Sequence, residues 1–201
     1  MEKIGKKNSF QDHLAQLKSC QVCKAHLHFH PNPVVQLNPE ARLLIIGQAP
    51  GRKAHETTAP FNDPSGDRLR SWLHLSREEF YNPHKIALMP MGFCYPGRDN
   101  KGGDLPPQKA CASLWHEKTL TFLPNIRLIL LVGHYAQKYY LKEKYRGNLT
   151  ETVKAWRNVL PLYFPLPHPS WRNTAWLKKN PWFEQELLPD LRKYVKNALE
   201  A

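Results

Sequence analysis

Four runs of branched aliphatic residues, at 41–47, 85–91, 127–133 and 160–166, are short and are bounded by Gly, Pro or Asn. Runs of that length without polar alternation are expected of strands buried on both faces. Helical candidates lie between them, at 67–75, 108–122, 134–141 and 149–159. Strand and helix therefore alternate, and a parallel pair of strands needs a crossover of about that length. The expectation is α/β: a three-layer α/β/α sandwich around a central four-stranded parallel sheet. Two more helices are expected outside the sheet. One spans 9–23 with Ser9 as its N-cap; the other spans 181–198, where Pro189 should end or kink it because its ring clashes with the preceding turn. No repeat or linker divides the chain, so 1–201 reads as one domain.

The loops after the strands carry the unusual residues: QAPG after the first, GFCYPGRDNKGGDLPP after the second and PHPSWRN after the fourth. Ligands of open parallel sheets bind at the carboxyl ends of the strands, where these loops sit. Charge indicates the kind of ligand. Lys and Arg number 29 against 17 acidic residues, a net +12, which favours a polyanion, with nucleic acid first. No run of eighteen apolar residues appears and positions 1–10 lack a signal-peptide core, so no membrane partner and a soluble, cytoplasmic protein are expected.

In such a compartment cysteines seldom form structural disulfides. The close pair Cys20 and Cys23, joined by the distant Cys94 and Cys111, suits a four-thiolate metal site, because the pair can clamp one edge while the fold delivers the rest. Zinc and an iron–sulfur cluster both accept that ligand set, and four buried thiols are the alternative.

The segments LLIIGQAPG (43–51), PFNDPSGDRL (60–69), GFCYPG (92–97), LILLVGHYAQ (128–137) and HPSWRN (168–173) together resemble the uracil-DNA glycosylase superfamily. Their order and spacing are similar to its iron–sulfur members, which have a GEAPG motif, a PF pair, a cysteine loop, a fourth cysteine and an HPS-type final motif. The resemblance implies a monofunctional DNA glycosylase of base-excision repair, acting on DNA as a monomer. It also implies a [4Fe–4S] cluster on Cys20, Cys23, Cys94 and Cys111, ahead of zinc, tying the N-terminal helix to the loop after the second strand. Phe93 and Tyr95 replace the basic neighbours that those members keep around the third cysteine.

A glycosylase must flip a base out of the stack, hold it, stabilise its negative charge as it leaves and direct water at the sugar carbon. In the turn Gln48-Ala49-Pro50-Gly51, backbone groups could face the base and the abasic sugar, and Gln48 and Ala49 are assigned to base binding. Ala49 stands where many members have an Asp or Asn that handles water. Asp63 lies close to where certain alanine-bearing members keep such an Asp, one residue out of register after Phe61, and it could equally cap a turn or helix. His55 and Glu56 are held in reserve.

Phe61 resembles the aromatic that stacks on the flipped base. His168 can donate a hydrogen bond to the departing base, with Trp171 as a wedge and Arg172, Ser65 and Ser170 on phosphates. Arg52, Lys53, Arg68, Arg98, Lys101, Lys178 and Lys179 would add a cationic rim.

At the end of the second strand, uracil-specific members commonly have an Asn that reads the base edge. Here the stretch is Met89-Pro90-Met91-Gly92, so Met91 would offer sulfur surface and no amide. The excised base is expected to be uracil or another: hypoxanthine, xanthine or a bulky modified pyrimidine of phage DNA, the last implying antiviral defence. A non-catalytic nucleic-acid-binding iron–sulfur protein is the alternative.

Overall fold

In the computed structural model, which describes residues 9–100 and 102–200, each aliphatic run contains a strand. The strands are β1 (Leu43–Ile46), β2 (Ile86–Leu88), β3 (Leu128–Val132) and β4 (Tyr163–Leu166), all parallel, in the order β2-β1-β3-β4. Helices α1 (Phe10–Lys18), α2 (Arg52–Thr57), α3 (Pro64–Leu73), α4 (Arg77–Phe80), α5 (Lys109–Leu120), α6 (His134–Leu141), α7 (Leu149–Lys154), α8 (Thr174–Lys179) and α9 (Leu188–Glu200) surround them. Pro165 is tolerated in β4 because an edge strand can spare a backbone donor.

Register accounts for the three layers. Leu88, Ile45, Leu130 and Phe164 form one row across the sheet, and Ala87, Leu44, Ile129 and Tyr163 form the next. Successive side chains on a strand point to opposite faces, so the rows belong to different cores. The first row packs with Leu69 and Trp72 of α3 and Leu191 and Val195 of α9. The second packs with Leu17 of α1, Ala112 of α5 and Ala136 of α6. Both faces are covered, which is why the strands read as unbroken apolar runs.

Several expected boundaries move, each for a local reason. The helix expected at 67–75 begins at Pro64, because Asp63 caps it and proline suits a first helical turn. The one expected at 149–159 divides into α7 and a 3₁₀ turn at Trp156–Val159. The N-terminal helix does start after a Ser9 capping box, but ends at Lys18, so Cys20 and Cys23 lie in the turn beyond it. Pro189 does not stop the last helix. A widened π turn at Phe183–Leu187 precedes it and α9 continues to Glu200; the extra residue relieves the clash between the proline ring and the preceding turn.

His116, on α5, is 1% exposed and links two parts of the fold. Its Nε2 donates to the Pro90 carbonyl at 3.1 Å, and the Tyr140 hydroxyl donates to Nδ1 at 2.6 Å. The exit of β2 is thereby anchored to α5 and α6. Burial pushes the His116 pKa down to about 4. The unfolded chain takes up this proton near pH 6.5 and the folded chain does not, so stability falls as pH drops from about 6.5 to 4 and levels off below that. The expected loss from this residue is about 3 kcal/mol, read as urea unfolding free energy across that range, and His116→Gln should flatten the slope.

Packing supplies a second test. Phe164 is fully buried and Leu162, two residues earlier, is 41% exposed. Phe164→Ala should cost about 3–5 kcal/mol in urea unfolding, and Leu162→Ala no more than about 0.5 kcal/mol.

Candidate active site at the carboxyl ends of the strands

With β1 flanked by β2 on one side and β3 on the other, the chain's connections leave the sheet in opposite directions at the β1/β3 boundary, where open parallel sheets form crevices. A cleft of about 980 Å³ opens there. Its walls are the segments that follow β1, β3 and β4, together with the start of α3 and the loop at 98–104. The 48–51 turn is held by the neighbouring strand exit: the Met91 N–H donates to the Gly47 carbonyl at 2.9 Å and the Gly92 N–H to that of Gln48 at 3.0 Å. Gln48 Nε2 reaches across to the Leu105 carbonyl at 3.4 Å.

Phe61 lines this cleft and also packs edge-on against the core residue Phe80, with ring centroids 6.2 Å apart. Its backbone lies in the left-handed region at φ 53°, a costly conformation for an aromatic residue. Two glycines make room for it. A Cβ on Gly47 would lie 2.9 Å from the ring, and one on Gly66 would overlap the Phe61 carbonyl.

Asp63 uses its two oxygens differently. Oδ1 caps α3 by accepting from the Gly66 N–H at 2.9 Å. Oδ2 faces the 48–51 turn, 3.4 Å from where a side chain on Gly51 would begin. Asp63 is thus both the cap of α3 and part of the cleft wall.

His168 lies across the cleft, beyond β4. Its Nδ1 accepts a hydrogen bond from the Ser170 N–H at 3.2 Å, so the neutral ring carries its proton on Nε2. Burial lowers its pKa, while the carboxylates of Asp63 and Asp104 act to raise it. Asn173 Nδ2 donates to the His168 carbonyl at 2.7 Å, and Arg68 Nη1 to that of Ser170 at 3.1 Å, tying the loop to itself and to α3. Gly133, at φ 87°, lets the β3 exit pass 3.6 Å from the His168 side chain, as measured from its own missing Cβ. Trp171 is 73% exposed, with the Arg172 guanidinium 5.2 Å from its ring centre. The Ser170 hydroxyl accepts from the Arg172 N–H at 3.1 Å and so shapes this turn.

Of the residues singled out in the sequence, Gln48, Ala49, Phe61, Asp63, Ser65, His168, Ser170, Trp171 and Arg172 line the one cleft. Met91 does not. Its side chain is buried with Leu44, Ala87 and Ile129 in the core on the far face of the sheet, and Pro90 takes the lining position. The reserves also fall away: His55 is buried against the rings of His30 and Tyr95, and Glu56 pairs with Arg52 at 2.7 Å on the surface. Arg52, Lys53, Arg68 and Arg98 reach the cleft, Lys178 and Lys179 do not, and Lys101 lies outside the described residues.

Sequence reasoning missed Asp104, His134, Tyr145 and Asn148, which also line it. Asp104 sits in the glycine-rich loop already marked as unusual. Tyr145 and Asn148 come from the connection before α7, which follows a helix and so carried no strand-exit signal.

A second, smaller cavity is lined by all four cysteines together with Pro31, Pro33, Phe93 and Trp115. The Phe93 N–H donates to Cys111 Sγ at 3.3 Å. Burial pushes the thiol pKa values up, to about 11 for Cys94 and about 12 for Cys111. Among the described residues, no group of three His, Cys, Asp or Glu side chains converges closely enough to hold one metal ion. Gly92 joins the two cavities, lining this one and bonding to Gln48 of the other.

The glycine pair offers a test of how the cleft floor is set. Gly66→Ala should displace Phe61 and lower stability by about 2–4 kcal/mol, seen as a fall in Tm, whereas Ser65→Ala, one residue away, should change it by less than about 0.5 kcal/mol.

The chain matches the family described as the Uracil DNA glycosylase superfamily over residues 34–192. Among solved structures it is similar to the solution NMR structure of a candidate uracil DNA glycosylase from Methanosarcina acetivorans, with 17% identity, a TM-score of 0.47, and coverage of 80% of this chain and 94% of that one. The family match takes in every strand of the sheet, the 48–51 turn and the HPS loop, and the chain belongs to the uracil DNA glycosylase superfamily.

Proposed function

We propose that this protein is a monofunctional DNA glycosylase that removes a damaged or modified base in base-excision repair. The observation that carries the reading is the pairing, across one cleft, of a neutral His168 whose Nε2–H is left to donate with the Asp63 carboxylate beside the 48–51 turn. A base flipped onto Phe61 would leave as an anion, and a fixed donor aimed at that charge lowers the barrier without reorganising. Asp63 Oδ2 would hold the attacking water. The exposed Trp171 fills the gap left in the stack, and Arg172, Arg68, Ser65 and Ser170 take the flanking phosphates. At the β2 exit only Pro90 reaches the cleft, and its carbonyl is held by His116. Discrimination among uracil, hypoxanthine, xanthine and bulky modified pyrimidines then falls to Gln48, Asn148 and the turn backbone.

Cys20, Cys23, Cys94 and Cys111 would hold a [4Fe–4S] cluster. The support is their shared cavity and the N–H donated to Cys111 sulfur, since such bonds accompany cluster thiolates. When bound, the cluster supplies a structural clamp between the segment after α1 and the loop after β2. A brown protein with visible iron–sulfur absorbance that Cys111→Ser abolishes is expected; a colourless, zinc-loaded protein would sink the assignment.

Purified protein assayed on oligonucleotides bearing the candidate bases should leave alkali-labile abasic sites for at least one of them. His168→Ala should slow single-turnover excision about 10²–10³-fold. Because burial lowers the pKa of His168, its neutral donor form predominates at pH 7, and any histidine inflection in the rate should fall below that of a free imidazole. Salt-sensitive binding with no product from any base would instead identify a binding module that lacks the chemistry.

A further inference from the structure

Asp104 repeats the arrangement of Asp63 from the opposite side of the same glycine. Its Oδ1 faces Arg98 Nε at 3.5 Å, and an antiparallel bridge between residues 98 and 104 closes the loop at its base. Its Oδ2 lies 3.9 Å from where a Cβ on Gly51 would stand, and Asp63 Oδ2 lies 3.4 Å from that point. Each carboxylate thus has one oxygen engaged elsewhere and the other turned to a single spot, and that spot is about the size of a methyl group. Without a side chain there, the glycine leaves the cleft open in front of both oxygens, where a water molecule can reach the two of them. Both carboxylates also act on His168 electrostatically, which puts them within one local field with the oxyanion donor.

The geometry points to Asp104 as a second catalytic carboxylate of the glycosylase proposed above, holding the attacking water jointly with Asp63 at Gly51. This rests on that reading of the cleft. The water donates one hydrogen bond to each Oδ2, which turns an oxygen lone pair toward the sugar. The C1′–N bond breaks and its electron pair leaves with the base, whose charge is met by His168 Nε2–H. The water oxygen then bonds to C1′ while one water proton passes to Asp104. The abasic sugar is released, the base anion is protonated by solvent, and Asp104 returns its proton to solvent. The two carboxylates also flank the positive charge that develops on the sugar, and the half-exposed Asp104 gives the proton a path out.

The test does not depend on knowing the base. Affinity is measured by fluorescence anisotropy for two duplexes, one with a cationic pyrrolidine in place of the abasic sugar and one with the neutral tetrahydrofuran. Wild-type protein should prefer the cation by about tenfold or more. Asp104→Asn and Asp63→Asn should each remove most of that preference and leave tetrahydrofuran binding within about twofold. Glu78→Gln, the same charge change on α4 away from the cleft, should remove none of it. On whichever base is excised, Asp104→Asn should slow the single-turnover rate about 10²-fold. Equal loss on both duplexes would make Asp104 a loop tether and overturn the proposal. A cation preference that survives in Asp104→Asn but disappears in Asp63→Asn would overturn it while sparing the glycosylase reading. Binding of neither duplex above undamaged DNA would remove that reading, and the proposal with it.

Discussion

β1 and β3 pair in parallel with Ile46 opposite Leu131, so β3 runs one residue beyond β1, and each strand then meets a glycine, Gly47 and Gly133. What happens at the cleft depends on that alignment. Gly47 admits the Phe61 ring from one side, and Gly133, at φ 87°, turns the β3 exit alongside the His168 side chain on the other. That an aromatic ring and an imidazole line the same cleft is then a consequence of strand register. A one-residue slip would exchange the two faces of the sheet and carry both glycines out of place.

The strands were legible because both faces of the sheet are covered, and complete burial writes itself into sequence as an unbroken aliphatic run. The site was legible where its residues follow a strand directly, as Gln48 and His168 do. It was illegible where tertiary packing decides. Nothing local distinguishes the lining residue Pro90 from Met91 beside it; only the pleat does, by turning the Met91 side chain into the core. Asp104 belongs to the cleft because a bridge to Arg98 folds its loop back, a pairing that no periodicity reveals. Asp63 shows a third case, since the short-range motif that marks a helix cap also describes a cleft carboxylate, and one residue serves as both.

The two cavities share a wall. The loop after β2 supplies Gly92 and Phe93 to the cysteine cavity, while the Gly92 N–H holds the Gln48 carbonyl in the turn that faces the cleft. The segment after α1 closes the cysteine cavity from the other side through Cys20 and Cys23. The thiols and the 48–51 turn are therefore joined by one loop and a backbone hydrogen bond, a short connection between parts of the chain far apart in sequence.

Phe61 and the two glycines that accommodate it form a lock in evolutionary terms. The ring needs an empty space at Gly47, its carbonyl needs one at Gly66, and its own left-handed backbone holds only while both are present. No member of this set can change alone without a clash or a hole in the floor of the cleft. A descendant that adapts to a larger base would therefore be expected to alter the opposite wall at Tyr145, since its neighbour Asn148 is committed to capping α7. Innovation in substrate range is channelled toward one side of the cleft, and the aromatic floor is left as the inherited part.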